Sequence, residues 1–505
     1  MKIILSNEIV DYPDYLTDES RLAVEPGKIN CIAFPENETD VVAALEKARE
    51  NNWPVTVSAA RTGIVGGAAP LCGGMVISME KMSKIGEPEK NEQNDEWALS
   101  VEPGALLCDI SKKLSETRNP KLFYPPDPTE MSAAIGGTVA TNASGARTFK
   151  YGATRDYVLS LRIVLADGNI LTIKRGEIFS DDSGTITFSV NEKEYKIPVP
   201  TYSMPKTKNC AGYFAKPKMD LIDLFIGSEG TLGIITEIEI KVLEQKKGRL
   251  SLLSFFNTEQ NALDFVKTIR KQNGKNNFDI EAIEFFDKNA LKLLNERREA
   301  GDTAIHEFPE SEAAIYYEFA LDDEFLEDIY EKLEEILQTV NCSTDTSWAG
   351  MDEDETKILK EFRHAVPETI NQIIGERKRK IPTLHKIGTD LAVPNENFEI
   401  IFKFYQETLD TAGLQYAIFG HIGDNHLHVN MMPRNEEELI EAKKYYKIFA
   451  EKAIELGGTV SAEHGIGKLK KEFLKILYGE KGIEEMKNVK KVLDSNCILG
   501  KGNLI

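Results

Sequence analysis

Cysteine is scarce in this chain. Six occur in 505 residues, at Cys31, Cys72, Cys108, Cys210, Cys342 and Cys497, and none are spaced CxxC. That pattern argues against an Fe–S cluster, a zinc knuckle or a disulfide framework, and predicts mostly buried, reduced thiols of a cytosolic protein. Positive charge is also short: 61 Lys plus Arg against 82 Asp plus Glu leave a formal charge of −21. Phosphate backbones and anionic membranes should repel such a chain, so no nucleic-acid partner is expected. No apolar run approaches the roughly 20 residues of a bilayer span. The start, Met1 to Glu8 (MKIILSNE), is too weakly apolar for a signal peptide. A soluble, cytoplasmic chain follows, peripheral to a membrane only through a partner. Two phosphate-binding patterns are missing as well. Neither GxGxxG followed by a distant acid nor GxxxxGK[ST] occurs, which leaves Rossmann and P-loop cradles unsupported.

What is present suits a large folded protein. Hydrophobic residues make up 41%, and 23 Phe with 16 Tyr can fill a core, which excludes global disorder. A length of 505 predicts two or three compact units. Strands are predicted over 54–58, 75–78, 159–166 and 169–174, and a helix over 39–52 with Thr39 as N-cap. The polar stretches 86–96 and 176–196 read as surface loops or an added hairpin. Past the charged linker 244–249, strands at 250–256, 313–319, 415–419 and 426–432 precede helices. The helices are predicted over 259–271, 324–338 and 436–456, giving an α+β unit with an antiparallel sheet.

Three runs of small residues stand out. The first, 58–70 (SAARTGIVGGAAP), follows a strand and contains Arg61, Thr62, Gly63, Gly66 and Gly67. Small residues let backbone N–H groups approach an anion, so a pyrophosphate cradle and a tight structural turn are both open for it. The second, 135–145 (IGGTVATNASG), lies just after 124–128 (YPPDP), and the third is 227–236 (GSEGTLGIIT). Three in order make a stronger signal than one.

Histidine is concentrated. Of seven, His421, His426, His428 and His464 fall within 44 residues. In 420–430 (GHIGDNHLHVN) strand alternation puts His426, His428 and Asn430 on one face and Leu427 and Val429 on the other. Glu463 and His464 then sit together on a Gly-rich turn. Imidazoles with a carboxylate can bind a borderline divalent metal such as Zn, Mn or Fe, and three protein ligands leave a position open for substrate. Arg363 and Lys386 are candidates for binding a carboxylate. Arg377, Lys378, Arg379 and Lys380 read as exposed solvating charges.

Together SAARTGIVGGAAP, PPDPTEMSAAIGGTVATNASG, KYGATRDYV and FIGSEGTLGIITE resemble the FAD-binding domain of the vanillyl-alcohol oxidase (p-cresol methylhydroxylase, PCMH-type) flavoproteins. GHIGDNHLHVN and SAEHGIGKLK narrow the resemblance to the D-2-hydroxy-acid dehydrogenase branch, whose members oxidise D-lactate, glycolate or D-2-hydroxyglutarate. The resemblance implies a two-subdomain PCMH-type FAD-binding domain over residues 1–245, an α+β cap domain over 246–455, and a C-terminal segment, 456–505, returning to the FAD domain. It implies that Arg61, Thr62, Gly63, Gly66 and Gly67 wrap the FAD pyrophosphate. Gly136, Gly137, Thr138, Thr141, Asn142, Ala143, Ser144 and Gly145 should line the flavin and its ribityl chain. Pro126, Asp127 and Glu229 are assigned to the cofactor too, and Ile234 and Ile235 should meet it through their backbone.

The same resemblance assigns a divalent metal to His421, His428 and Glu463, catalysis to His464, and the substrate to Arg363, Lys386 and Asn430. Hydride would pass from a D-2-hydroxy acid to flavin N5, and an external acceptor would take the electrons: an electron-transferring flavoprotein, a cytochrome, a quinone or an Fe–S subunit. A homodimer is also expected. No histidine lies in the 58–70 loop, so FAD should be non-covalent. The chain departs from the family pattern in three places: Arg61 replaces a usual Gly, His426 a common Asn, and Leu499-Gly500-Lys501-Gly502 the usual Asn-Pro-Gly-Lys. Two other classes compete with the dehydrogenase: a non-redox flavoenzyme of the alkyl-dihydroxyacetone-phosphate synthase type, and a metal-dependent hydrolase that would leave the three small-residue runs idle.

Overall fold

The computed structural model describes residues 1–505 except 93, 276, 323 and 324 and the side chain of 353. The amino-terminal half carries two sheets. The first joins β1 (Lys2–Leu5), β2 (Ile29–Phe34), β3 (Val55–Ser58) and β4 (Gly74–Ser78) in the order β1-β2-β4-β3, with β2 and β3 both parallel to β4. The Glu38–Glu50 helix packs on it through Val41, Ala44, Leu45 and Ala48, an apolar stripe at helical spacing. Its N-cap is Asn37, whose side chain accepts the Asp40 N–H. The expected cap, Thr39, lies inside the helix, because the chain is still extended at Asn37 and turns helical one residue later.

The second sheet orders β5 (Glu89–Asn91), β6 (Glu96–Val101), β12 (Ile234–Glu244), β8 (Val158–Val164) and β9 (Ile170–Lys174), with β7 (Leu122–Phe123) on the end of β12. The 176–196 region carries a hairpin of β10 (Thr185–Val190) and β11 (Lys193–Pro198).

An antiparallel sheet dominates the carboxy-terminal half. Its order is β16 (Ser347–Gly350), β13 (Gly248–Phe256), β15 (Ala313–Leu321), β14 (Ile280–Phe286), β19 (Tyr416–His421), β20 (His426–Met431) and β17 (Ile387–Gly388), and β18 (Leu391–Ala392) pairs with β20 as well. Helices cover both faces. Phe265 and Ile269 of the Glu259–Gln272 helix and Ile329 and Leu333 of Leu326–Thr339 share one core cluster with Leu252, Ile283 and Phe285. Leu291 of Lys288–Glu299 and Val366 of Glu353–Lys380 share another with Leu253, Phe286 and Tyr316. The predicted helix start at 324 lies outside the described residues, and the helix runs over Leu326–Thr339. β14 and the long Glu353–Lys380 helix, with Pro367 inside it, were not expected from the sequence.

The chain end adds backbone to the first sheet. Val55 N–H donates to the Ile498 carbonyl at 2.8 Å and Gly500 N–H to the Val55 carbonyl at 2.9 Å. Buried Lys490 binds the carbonyls of Thr231 and Leu499, both at 2.8 Å, and Asp494 at 2.9 Å. No helix among the described residues is long and apolar enough to cross a membrane.

Three expectations change. Only Cys31 and Cys210 are buried, and Cys72 and Cys108 are exposed, so the thiols are not mostly buried. Arg377 is not a solvating charge: it donates to the Met432 carbonyl at 2.5 Å and also binds Gln415. Lys386 precedes β17 instead of lying in a strand, since pairing with β20 begins at Ile387.

Candidate functional site

The loop after β3 leaves Arg61 at φ 60° and Gly66 at φ 78°, conformations that glycine tolerates best. Among the described residues no acceptor takes the N–H groups of Thr62, Gly63, Ile64, Gly66 or Gly67. A Cβ on Gly63 would meet nothing within 4 Å. A row of unclaimed donors beside open space suits a pyrophosphate. The Arg61 guanidinium is turned elsewhere. It lies 4.3 Å from the Tyr15 ring centroid, 3.8 Å from Glu80, and donates to the Ala59 carbonyl at 2.7 Å. Any phosphate contact at this position therefore falls to the loop backbone.

The second small-residue run forms the Ile135–Thr141 helix, closed by Asn142 in the left-handed region at φ 49°. Thr138 and Thr141 hydroxyls cap carbonyls of their own helix. A Cβ on Gly137 would meet open space, whereas one on Gly136 would strike the Pro103 backbone at 2.8 Å. Gly145 allows the chain to pass Asp127, whose carbonyl would lie 2.1 Å from a Cβ. Asp127 accepts the Arg147 N–H at 3.1 Å; burial pushes its carboxyl up to about 6 against the pull of Arg147. Pro126 is buried beside it. Ala143 gives its carbonyl to Thr154, while the buried Ser144 hydroxyl has no partner among the described residues. A cavity of about 250 Å³ touches Asn142, Ser144, Lys208, Asn209, Asp424 and Ala462.

In the third run, Glu229 is buried and accepts the N–H groups of Ile466 and Gly467 at 2.8 and 2.6 Å; burial lifts its pKa to about 7. It therefore ties this run to the Gly turn carrying His464 instead of pointing away from the protein. Ile234 and Ile235 pair with Val164 and Ile163 of β8, but the ladder to β6 begins only at Ile238. Among the described residues the other edge of β12 is thus without a strand partner at 234–235.

The hairpin of β19 and β20 gathers the histidines. His421 ends β19, the Gly423 turn reverses the chain, and β20 presents His426, His428 and Asn430. Nitrogens of His421, His426 and His428 and an oxygen of Glu463 all lie within 4.8 Å of one another. Each ring also faces an outer oxygen. His421 Nδ1 is 2.5 Å from Glu284, His428 Nδ1 is 3.2 Å from the Thr389 carbonyl, and His426 Nε2 is 3.1 Å from Asp390. His421 Nε2 lies 3.2 Å from Glu463 Oε1. Burial disfavours the His421 cation, but Glu284 and Glu463 outweigh it and raise its pKa to about 9. Burial, then the neighbouring rings, holds His428 well below the ordinary range, so it is neutral and able to donate a lone pair. Three imidazoles and one carboxylate form a donor set that fits a divalent ion.

Arg363, His464 and Asn430 lie beside this cluster. Arg363 Nε is 3.5 Å from Glu284, the carboxylate that also holds His421. His464 Nδ1 is 3.3 Å from Asp390, Nε2 pairs with no group among the described residues, and the ring stacks 5.9 Å from that of His428. Asn430 follows His428 on the same face and pairs with Gly388. Lys386 lies two residues before Gly388 and makes no ion pair among the described residues. Burial, with the nearby Arg21 charge, lowers its pKa.

Three residues at the site were not anticipated. Glu284 sits in 280–286 (IEAIEFF), where two acids three residues apart interrupt an apolar run. Asp390 binds Lys470 and Ser461, both at 2.7 Å, and accepts the N–H groups of Ala462, Glu463 and His464. Lys208 pairs with Glu463, lies 3.8 Å from Asp424 and donates to the Gly145 carbonyl at 3.0 Å. No sequence signal singled out Asp390 or Lys208, since their partners are distant in the chain.

Residues 29–174 match an FAD binding domain, and residues 245–504 match the C-terminal domain of the FAD linked oxidases. The chain is 32% identical over 472 residues to a D-lactate dehydrogenase of Anaerostipes hadrus, covering 92% of this chain and 87% of that one. It is 29% identical to the glycolate oxidase subunit GlcD of Bacillus subtilis (94% and 88% covered). It is 26% identical to a D-2-hydroxyglutarate dehydrogenase of Stutzerimonas stutzeri (97% and 98% covered). A solved alkyldihydroxyacetonephosphate synthase shares the fold at a TM-score of 0.60 and 17% identity, over 94% of this chain and 76% of that one. These matches, spanning both halves of the chain, establish that it belongs to the FAD-linked oxidases.

Proposed function

We propose that the protein oxidises a D-2-hydroxy acid to its 2-oxo acid with bound, non-covalent FAD and passes the electrons to an external acceptor. One observation carries this. Lys208 joins Glu463 of the histidine cluster to the Gly145 carbonyl of the small-residue run, so the cluster and the expected flavin segment are one side chain apart. When bound, FAD would supply the two-electron acceptor, and a divalent ion held by His421, His428 and Glu463 would supply Lewis acidity at the substrate oxygens.

The chain's own residues do the rest. The Arg363 guanidinium offers a fork for the substrate carboxylate, and Lys386, unpaired and partly desolvated, adds a second charge. Asn430 provides an amide to orient the substrate. His464 Nε2 takes the hydroxyl proton, while Asp390 on Nδ1 fixes the ring and stabilises its cation. The hydroxyl proton thus goes to His464, and the Cα hydrogen leaves with its electron pair for the acceptor. Similarity to a D-lactate dehydrogenase, a glycolate oxidase subunit and a D-2-hydroxyglutarate dehydrogenase supports this substrate class.

The metal role is tested by His421→Ala. With an artificial electron acceptor, wild-type holoprotein should turn over a D-2-hydroxy acid, and the variant should lose both the ion and turnover. Unchanged turnover in a variant that has lost its ion contradicts that role.

A further inference from the structure

His426 is the one imidazole of the cluster with no part in the chemistry above. It is wholly buried, and among the described residues its Nδ1 has no hydrogen-bond partner. Nε2 faces an Asp390 oxygen at 3.1 Å, while Nδ1 faces only Glu463 Oε1 at 3.6 Å, beyond hydrogen-bond reach. Leaving a buried polar group unmatched costs about 1–3 kcal/mol, so a ring kept in this position calls for a partner that the polypeptide does not supply.

We infer that His426 is a fourth protein ligand, through Nδ1, of the divalent ion otherwise held by His421, His428 and Glu463. This rests on the metal reading of the proposed function and goes beyond its three-ligand form. The geometry supports it in two ways. His426 Nδ1 lies 3.6 Å from Glu463 Oε1, close to the 3.2 Å between that oxygen and His421 Nε2. Donors around an ion at bond lengths of about 2.0–2.1 Å stand about 3.3–3.4 Å apart in a tetrahedron. The second support is the common pattern of the rings: His421, His426 and His428 each turn one nitrogen to an outer oxygen, of Glu284, Asp390 and Thr389 respectively, as metal-bound imidazoles do. Ring centroids 4.5 Å (His426 to His428) and 5.5 Å (His426 to His421) apart leave the remaining nitrogens facing one space.

The consequence concerns the ion. Four protein donors close a tetrahedral site, so a hydroxy acid can join only an ion that accepts five or six ligands. That favours manganese, iron or cobalt over a closed zinc centre.

The experiment counts ligands. FAD-containing protein is stripped of metal by a chelator, reloaded with one equivalent of zinc, and examined by X-ray absorption, with affinity taken from competition with a chelating dye. Wild type should show three imidazoles on zinc and His426→Asn two, with affinity reduced about 100-fold or more and FAD content unchanged. Loss of an outer contact alone also weakens binding by about 10–100-fold, so the imidazole count decides. Two imidazoles in both proteins would overturn the assignment while leaving the three-ligand site intact. A wild type that binds no zinc would overturn the metal reading and this assignment together. If His426→Asn does not fold, the count in His464→Gln protein decides: three supports the ligand role and two overturns it.

Discussion

At the scale of single residues, Asp390 is the buried carboxylate on which the turn of Glu463 and His464 converges. It holds His464 and the buried Lys470 while receiving three successive backbone N–H groups. Burial opposes its charge, but His464 and Lys470 outweigh burial and keep the carboxyl well below its usual range. Asp390→Ala should therefore lower stability by about 3–5 kcal/mol, the cost of stranding a buried cation; thermal unfolding of the two proteins measures it. His464→Gln should do something different. Flavin reduction by substrate should slow about 10²- to 10⁴-fold, the usual worth of a general base, with FAD content and melting temperature near wild type. Stopped-flow spectroscopy separates the two effects. The candidates His421, His426, His428 and His464 were legible in the sequence because four of seven histidines cluster within 44 positions, and Glu463 because it stands beside His464 on a Gly turn. Glu284, Asp390 and Lys208 were not, because each becomes functional only through partners more than 60 residues away along the chain.

At the scale of elements, the strands with clean alternation or continuous apolar runs were readable, as β8, β13 and β15 illustrate. Elements that broke a local rule were not. The Glu353–Lys380 helix carries Pro367 in its interior, where proline removes a backbone donor, and β14 hides two acids among apolar residues. The Lys288–Glu299 helix, also unexpected, begins with buried Asp287, whose Oδ1 accepts the Ala290 N–H at 2.7 Å while Oδ2 has no partner among the described residues. Burial, reinforced by the Glu259 charge, pushes this carboxyl up to about 8. The folded chain thus keeps a proton that the unfolded chain releases near pH 4. The stability this site contributes is full at acid pH and is lost as pH rises through about 8. Asp287→Asn keeps the cap without the charge, so its melting temperature should exceed wild type increasingly from pH 5 to 8, then by a constant margin. A margin independent of pH contradicts the assignment.

At the scale of the whole molecule, a net charge of −21 coexists with ligands that are anions. The structure resolves this locally: unclaimed backbone donors line the loop after β3, and Arg363 and Lys208 adjoin the histidine cluster. The fold class and the order of the halves were legible because the small-residue runs and the histidine motifs occur in sequence order. The closure of the site by the chain end was less so, since it depends on Glu229, Lys490 and the Val55 pairing acting between segments more than 200 residues apart. The central claim joins an FAD domain and a carboxylate-binding cap in one reaction, and anaerobic mixing tests it most directly. Holoprotein is combined, without an acceptor, with D- and L-lactate, glycolate and D- and L-2-hydroxyglutarate while flavin absorbance is followed. Bleaching by glycolate or at least one D-acid, and not by its L-enantiomer, is the expected result. An oxidised spectrum with every one of these acids would contradict the proposed function.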